Sequence, residues 1–360
     1  MKKSFHLVIA FFVFAITNAQ ITISSDVLGK LDKFKPETFK KFKSTTTIFV
    51  LSNVFQKDQY EKLLKETWTV TPYKIVSVDE FKYNDYLSDK YSFAHLRAFA
   101  QDGSTIFVLN SMINFYLLDT KEINEKLDKV KDDPRKFRKL IMTNKMNIGA
   151  IQLFANTEFL KKVDKTFGNG GGGIKLMAGS AEFTTDDINN PKISKSDKGM
   201  INEVYNSNVY KNYTLGMLKN YFQKVNSLIS KEEFCDLREP EKTSEVKNLK
   251  KETLYIPDYN KITYKPGKVE DEPKSDKDLK ELFKDYKFKY EFISDKDLDT
   301  KIANGENFYY LRYVKVNSQK FFSVVNGKTG EVVYKEYDAG MGTYNIDGDD
   351  FKKLAKEIAK

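Results

Sequence analysis

The chain has 360 residues, 40% of them hydrophobic, with 28 Phe and 21 Tyr, enough apolar and aromatic material for two cores of ordinary domain size. Its 60 basic residues are interspersed with 51 acidic ones, so the formal charge of +9 describes a lysine-rich solvated surface and argues against a nucleic-acid partner. One cysteine excludes an internal disulfide, and with one of the two histidines lying at position 6, in the leader-like start, only two Cys/His residues remain for a zinc site that needs three or four, so no cofactor or metal is expected.

The chain opens MKKSFHLVIAFFVFAITNAQ. Lys2 and Lys3 precede an apolar run, Leu7 to Ile16, that is too short to span a bilayer, and the small residues Thr17 and Ala19 stand just before Gln20. This pattern predicts a secretory signal peptide over residues 1–19. His6 leaves with it, so the exported chain keeps one histidine, His95, and one cysteine, Cys235. No later segment is apolar enough to cross a membrane, and the expected location is periplasmic, outer-surface or secreted.

Residues 20–133 read as a first α/β module. Lys33 to Lys43, KFKPETFKKFK, interleaves aromatics with lysines; a short helix opened by Pro36 with its phenylalanines turned inward is the favoured reading, ahead of contact with an anionic glycolipid or partner. Thr47 to Leu51 is a short apolar strand, and Tyr60, Leu63, Leu64 and Trp68 fall at helical spacing. A strand at Tyr73 to Ser77 follows, with Ser77 as cap of a short helix. A three-strand meander is expected at Ser92 to Ala100, Thr105 to Asn110 and Asn114 to Asp119, with Asp102-Gly103 as its first turn, then a helix from Lys121 to Val130.

Residues 134–245 read as a mainly helical connection. Phe159, Leu160, Val163 and Phe167 suggest one helix, and Leu215, Leu218, Tyr221, Phe222, Val225, Leu228 and Ile229 a longer one. Between them FGNGGGGIKL, with glycines at 168 and 170–173, satisfies G-x-G-x-x-G. A dinucleotide cradle needs a strand before the first glycine and a helix directly after the last, and a P-loop needs Lys then Ser or Thr; Gly173-Ile174-Lys175-Leu176 meets neither requirement. A slack connection is therefore expected.

Residues 246–360 repeat the first module. Leu64-Lys65-Glu66, Asp79-Glu80-Phe81 and His95-Leu96-Arg97 recur as Leu279-Lys280-Glu281, Lys296-Asp297-Leu298 and Tyr310-Leu311-Arg312, at an offset that stays between 215 and 217. The expected elements are a strand at Thr253 to Ile256, a helix carrying Leu279, Leu282, Phe283 and Tyr286, a strand at Lys289 to Ile293, and Ser294 as a helix cap. A meander at Phe308 to Val316, Lys320 to Val325 and Glu331 to Tyr337 comes next, turning on Asn326-Gly327-Lys328-Thr329-Gly330. Phe351, Leu354, Ala355 and Ile358 mark a closing helix, and Lys265 to Lys277 reads as a mobile loop. The fold class expected is thus α/β (α+β): two related β-α-β-α-β-β-β-α modules, each a mixed sheet covered by helices. Thr253 to Lys360, with its element order and the TGEVV turn at Thr329 to Val333, resembles the amino-terminal domain of the TolB family and the curli-secretion lipoprotein family of bacterial envelopes. That resemblance implies action through protein contacts, without enzymatic activity in this domain.

Few residues stand out chemically. Arg97 and Arg312 occupy matching positions and could each fork onto a carboxylate or phosphate of a ligand or partner, although an ion pair with a neighbouring element is favoured. His95, two residues before Arg97 and matched by Tyr310, reads as space-filling with one hydrogen bond, with catalysis as the rival role. Asp186-Asp187 and Asp349-Asp350 could hold calcium, but Gly348 stands at the wrong place for an EF-hand, and capping explains the second pair. The reading is an exported, non-enzymatic binding or scaffold protein whose partner is an envelope or extracellular protein or a surface ligand. A secreted carboxylate-dependent hydrolase such as a glycosidase is the alternative. Any function is expected where the two modules meet.

Overall fold

The computed structural model describes residues 20–103, 106–167, 181–182, 195–265, 270–340 and 345–360. The expected signal peptide, the glycine run and Asp186-Asp187 lie outside the described residues.

Two mixed sheets, each covered by helices, form an α/β framework. The first contains β1 (Ile21–Ile23), β2 (Thr46–Val50), β3 (Tyr73–Ile75), β4 (Tyr91–Gly103), β5 (Ile106–Leu118) and β6 (Lys145–Gln152), in spatial order β3-β2-β4-β5-β6-β1, with β7 (Ala181–Glu182) paired to β4. The second contains β8 (Glu241–Lys242), β9 (Leu254–Pro257), β12 (Tyr290–Ile293), β13 (Tyr309–Val316), β14 (Gln319–Asn326) and β15 (Val332–Ala339), in order β12-β9-β13-β14-β15-β8. The pairings correspond one to one. The two strands nearest the βαβ edge run parallel to their neighbours in both sheets, and the meander and the strand beyond it are antiparallel. A separate ribbon joins β10 (Ile262–Lys265) to β11 (Glu270–Pro273).

The helices are α1 (Pro36–Lys43), α2 (Lys57–Thr67), α3 (Thr120–Leu127), α4 (Pro134–Thr143), α5 (Thr157–Phe167), α6 (Lys195–Asn206), α7 (Leu215–Lys231), α8 (Asp276–Leu282), α9 (Asp295–Ala303) and α10 (Gly348–Ala359). Local chemistry fixes their starts. Pro36 opens α1, whose Phe39 and Phe42 are buried one turn apart. Gln56 with Gln59, Ser275 with Asp278, and Asp347 with Asp350 form reciprocal capping boxes for α2, α8 and α10, and the Ser294 hydroxyl accepts from the Asp297 amide at α9.

Four local expectations change. Asn114 to Asp119 is not a third meander strand; β5 runs unbroken from Ile106 to Leu118, and the third strand is β6, after α3 and α4. The polar residues Asn110 and Ser111 are buried inside that ladder instead of turning, and a bulge at Phe115/Tyr116 keeps the faces correct. The segment 134–245 therefore supplies strands to both sheets, β6 and β7 to the first and β8 to the second, besides its helices. Within Lys265 to Lys277 the described residues form β11 and the start of α8, and β11 pairs residue for residue with the apolar-alternating Ile262–Lys265. Ser77 closes a turn through its carbonyl, which accepts from Glu80 and Phe81, and a 3-10 turn at Tyr83–Tyr86 stands where a short helix was expected.

Helix α7 joins the modules. Its Phe222 packs edge-on against Phe49 and Phe115 of the first sheet, at 5.5 and 6.5 Å between ring centroids. Its Tyr221 and Asn220 face the second sheet: the Arg312 guanidinium lies 4.4 Å over the Tyr221 ring, and Tyr310 donates to Asn220 Oδ1 at 3.0 Å. Sheet faces then show how the modules are stacked. In the first sheet α7 shares a face with α2, whose neighbour Trp68 stacks on Phe115; in the second it covers the face opposite α8, whose Leu282 belongs to the core under α10. The modules are arranged head to tail through one helix, and a single apolar cluster runs from Ile48 and Phe49 through Leu218 and Phe222 to Leu298, Ile302 and Val325. The expected meeting place of the modules is packed core.

Candidate functional site

The three residues singled out from sequence are all buried. His95 is fully enclosed: its Nδ1 meets the Tyr116 and Tyr83 hydroxyls at 3.2 and 3.5 Å, and its Nε2 meets the Tyr205 hydroxyl at 3.3 Å. Burial, and then the Lys145 and Arg97 charges, hold the imidazole well below its ordinary value, so it is neutral at physiological pH. Arg97 follows on the same strand face, donating to Asn114 Oδ1, with its guanidinium 5.8 Å over Phe99. Arg312 is completely buried between β13 and Tyr221. Thus His95 and Arg97 share one cluster in the first module, and Arg312 belongs to the seam in the second.

The seam itself is polar in one layer. Gln20 Nε2 donates to the Arg312 carbonyl at 3.1 Å, Tyr221 donates to Gln20 Oε1 at 2.8 Å, and Asn212 Nδ2 donates to the Tyr221 oxygen at 2.8 Å and to the Gln152 carbonyl at 3.1 Å. Beside it, Lys224 of α7 pairs with Glu331. Glu241 on β8 is buried directly across the ladder from Lys335, and burial pushes its carboxyl up to about 8, against the opposing pull of Lys224 and Lys335. These groups lock the modules together.

The other sequence candidates resolve into structure. Asp347, not Asp349, caps α10, accepting from the Asp349 and Asp350 amides at 2.9 and 3.2 Å. The Lys320 ammonium lies 3.2 Å from the Asp347 carboxylate and 2.9 Å from that of Asp350, taking the position a cation would need. Among the described residues no group of three or more His, Cys, Asp or Glu could hold a metal ion. Helix α5 runs to Phe167, so a helix leads into the glycine run where a dinucleotide cradle has a strand. A lysine cluster lies beneath the β10–β11 ribbon, where burial brings Lys315 down to about 7 and Lys274 to about 8. The adjoining cavity, about 10 Å³, has room for one water at most.

The open site is elsewhere, between α2 and β3. Lys57, Asp58, Glu61, Lys62 and Lys65 recur one turn apart on the exposed face of α2, and with Tyr73, Lys74 and Ile75 of β3 they line a groove of about 580 Å³. Among the described residues no ion pair within 4.0 Å engages these lysines or carboxylates; Lys74 Nζ reaches the Tyr86 hydroxyl at 3.4 Å. Four lysines against two acids leave the groove basic. β3 is the edge strand, paired only with β2 among the described residues. Sequence reasoning missed this groove, since lysines on a helix read as a solvated face; the available signal was their i, i+4 recurrence on the helix that leads into an edge strand.

Comparison with protein-family models, with curated proteins and with solved structures finds no match for this chain. No helix among the described residues is long and apolar enough to cross a membrane.

Proposed function

We propose that the protein is an exported, non-enzymatic binding or scaffold protein of the bacterial envelope, taking an envelope or extracellular protein or a surface ligand at the α2–β3 groove. The observation that carries this reading is the groove: an open, basic channel beside an unpaired sheet edge, on a framework stiffened by α7. The leader-like first 19 residues and the resemblance of Thr253–Lys360 to TolB and curli-secretion envelope domains support the same reading. Chemical crosslinking in intact cells is expected to recover a discrete partner. A chain that stays free while turning over a small molecule would contradict it.

A further inference from the structure

We propose that the groove between α2 and β3 receives an extended, acidic segment of a partner protein, which adds to the first sheet as a strand alongside β3. This rests on the binding reading above and names the chemistry of the partner.

The backbone of β3 supplies the first part. The Pro72 carbonyl accepts from the Thr47 amide at 2.8 Å, and the Val76 amide donates to the Phe49 carbonyl at 2.9 Å, so both point inward to β2. In a parallel ladder, inward and outward residues alternate, which turns the amides and carbonyls of Tyr73 and Ile75 outward, with no strand beyond them among the described residues. Unsatisfied edge groups of this kind are a template for an added strand.

The side chains supply the second part. Lys57, Lys62 and Lys65 line the helical wall of the channel and Lys74 stands on the strand, while among the described residues Asp58 and Glu61 are the acids lining it. A guard lysine against edge pairing explains Lys74 alone. It does not explain three more lysines on the opposite wall, nor a channel of about 580 Å³ between helix and strand.

The duplication supplies a control within the molecule. At the corresponding edge of the second sheet aromatic rings line the helix-facing side of β12: Phe283 stacks on Tyr290 at 4.0 Å and meets Phe292 at 5.9 Å, and Tyr286 lies 6.2 Å from Tyr290. One copy of the scaffold sets aromatic rings beside its edge strand, and the other sets lysines there. The fold does not require the basic lining.

The test uses the full chain and a short fluorescein-labelled peptide of alternating Val and Glu, with an N-methylated version and a Val–Lys version as controls. The Val–Glu peptide is expected to bind, to slow hydrogen exchange at the Tyr73 and Ile75 amides, and to weaken about tenfold or more in a Lys62→Glu/Lys65→Glu variant. Both positions are exposed, so the folded protein is retained. Equal binding of the N-methylated peptide would reduce the site to a charge effect and overturn strand addition. No binding at millimolar peptide, or protection at another face, would overturn the inference outright. The binding reading fails separately: a crosslinked partner seated on another surface sinks this inference and the placement at the groove but leaves a binding protein, whereas no partner at all sinks both.

Discussion

At the scale of single residues, the buried ionisable groups set opposing pH dependences. The Glu241 carboxyl is raised to about 8 in the fold, so it folds protonated while the unfolded chain ionises near the ordinary value of about 4.3. The unfolded state therefore binds fewer protons across this interval, and the contribution is fully present below it and lost as pH rises through the folded value. Glu241→Gln is expected to remove that loss, gaining up to about 4 kcal/mol over wild type near pH 8, as read by urea denaturation across pH. His95 acts in the opposite direction. Its imidazole is held neutral in the fold while the unfolded chain gains a proton below about 6.5, so stability is lost as pH falls below that value. His95→Phe is expected to lose absolute stability, because it removes the imidazole's hydrogen bonds to the Tyr83, Tyr116 and Tyr205 hydroxyls, which keep their bonds to one another and to the Leu96 carbonyl, yet to flatten the slope between pH 7 and 5. An unchanged slope would mean that His95 is accessible and protonated.

At the scale of elements, the contact between the TGEVV turn and α7 is the most exacting. Gly330 has φ +75°, and a Cβ there would stand 2.6 Å from the Asn220 carbonyl oxygen of α7. Gly330→Ala is expected to cost about 1–3 kcal/mol from left-handed strain and the displaced helix, seen as a lower urea midpoint. That a turn stands here was legible from sequence, but the positive φ expected of its Asn and Gly falls on Gly330 and not on Asn326 or Gly327; that Gly330 also admits a helix was not legible, since close approach is a tertiary fact. The same division runs through the other elements. The duplicated order was readable, because hydrophobic period and cap residues are local, and Ser294 and Asn326 behave as their chemistry requires. The third strand of the first meander was not. Lys145–Gln152 returns to the sheet after two helices, and nothing local distinguishes its apolar run from other buried segments. Arg97, Arg312 and His95 were conspicuous because such residues are scarce, but scarcity does not report burial.

At the scale of the whole molecule, α7 packs against both modules, and they are expected to unfold together. Its Phe222 reaches the first sheet while Tyr221 and Asn220, the residues before it, hold the second, and the apolar cluster is continuous through the helix. Phe222→Ala is expected to cost about 3–5 kcal/mol and to lower the unfolding of both modules together, in one calorimetric transition. Two separated transitions in the wild-type chain would show that the modules are independent. Two modules packed on one helix, with a basic groove along one sheet edge and aromatic rings along the corresponding edge of the other, are suited to presenting one surface to a partner. That central claim is tested most directly by photo-crosslinking in intact cells, with a photoreactive amino acid placed at Lys62 in the groove and, as control, at the exposed Lys352 on α10. A discrete adduct from position 62 and none from position 352 is the expected result. Adducts of equal yield from both positions, or none from the groove, would contradict it.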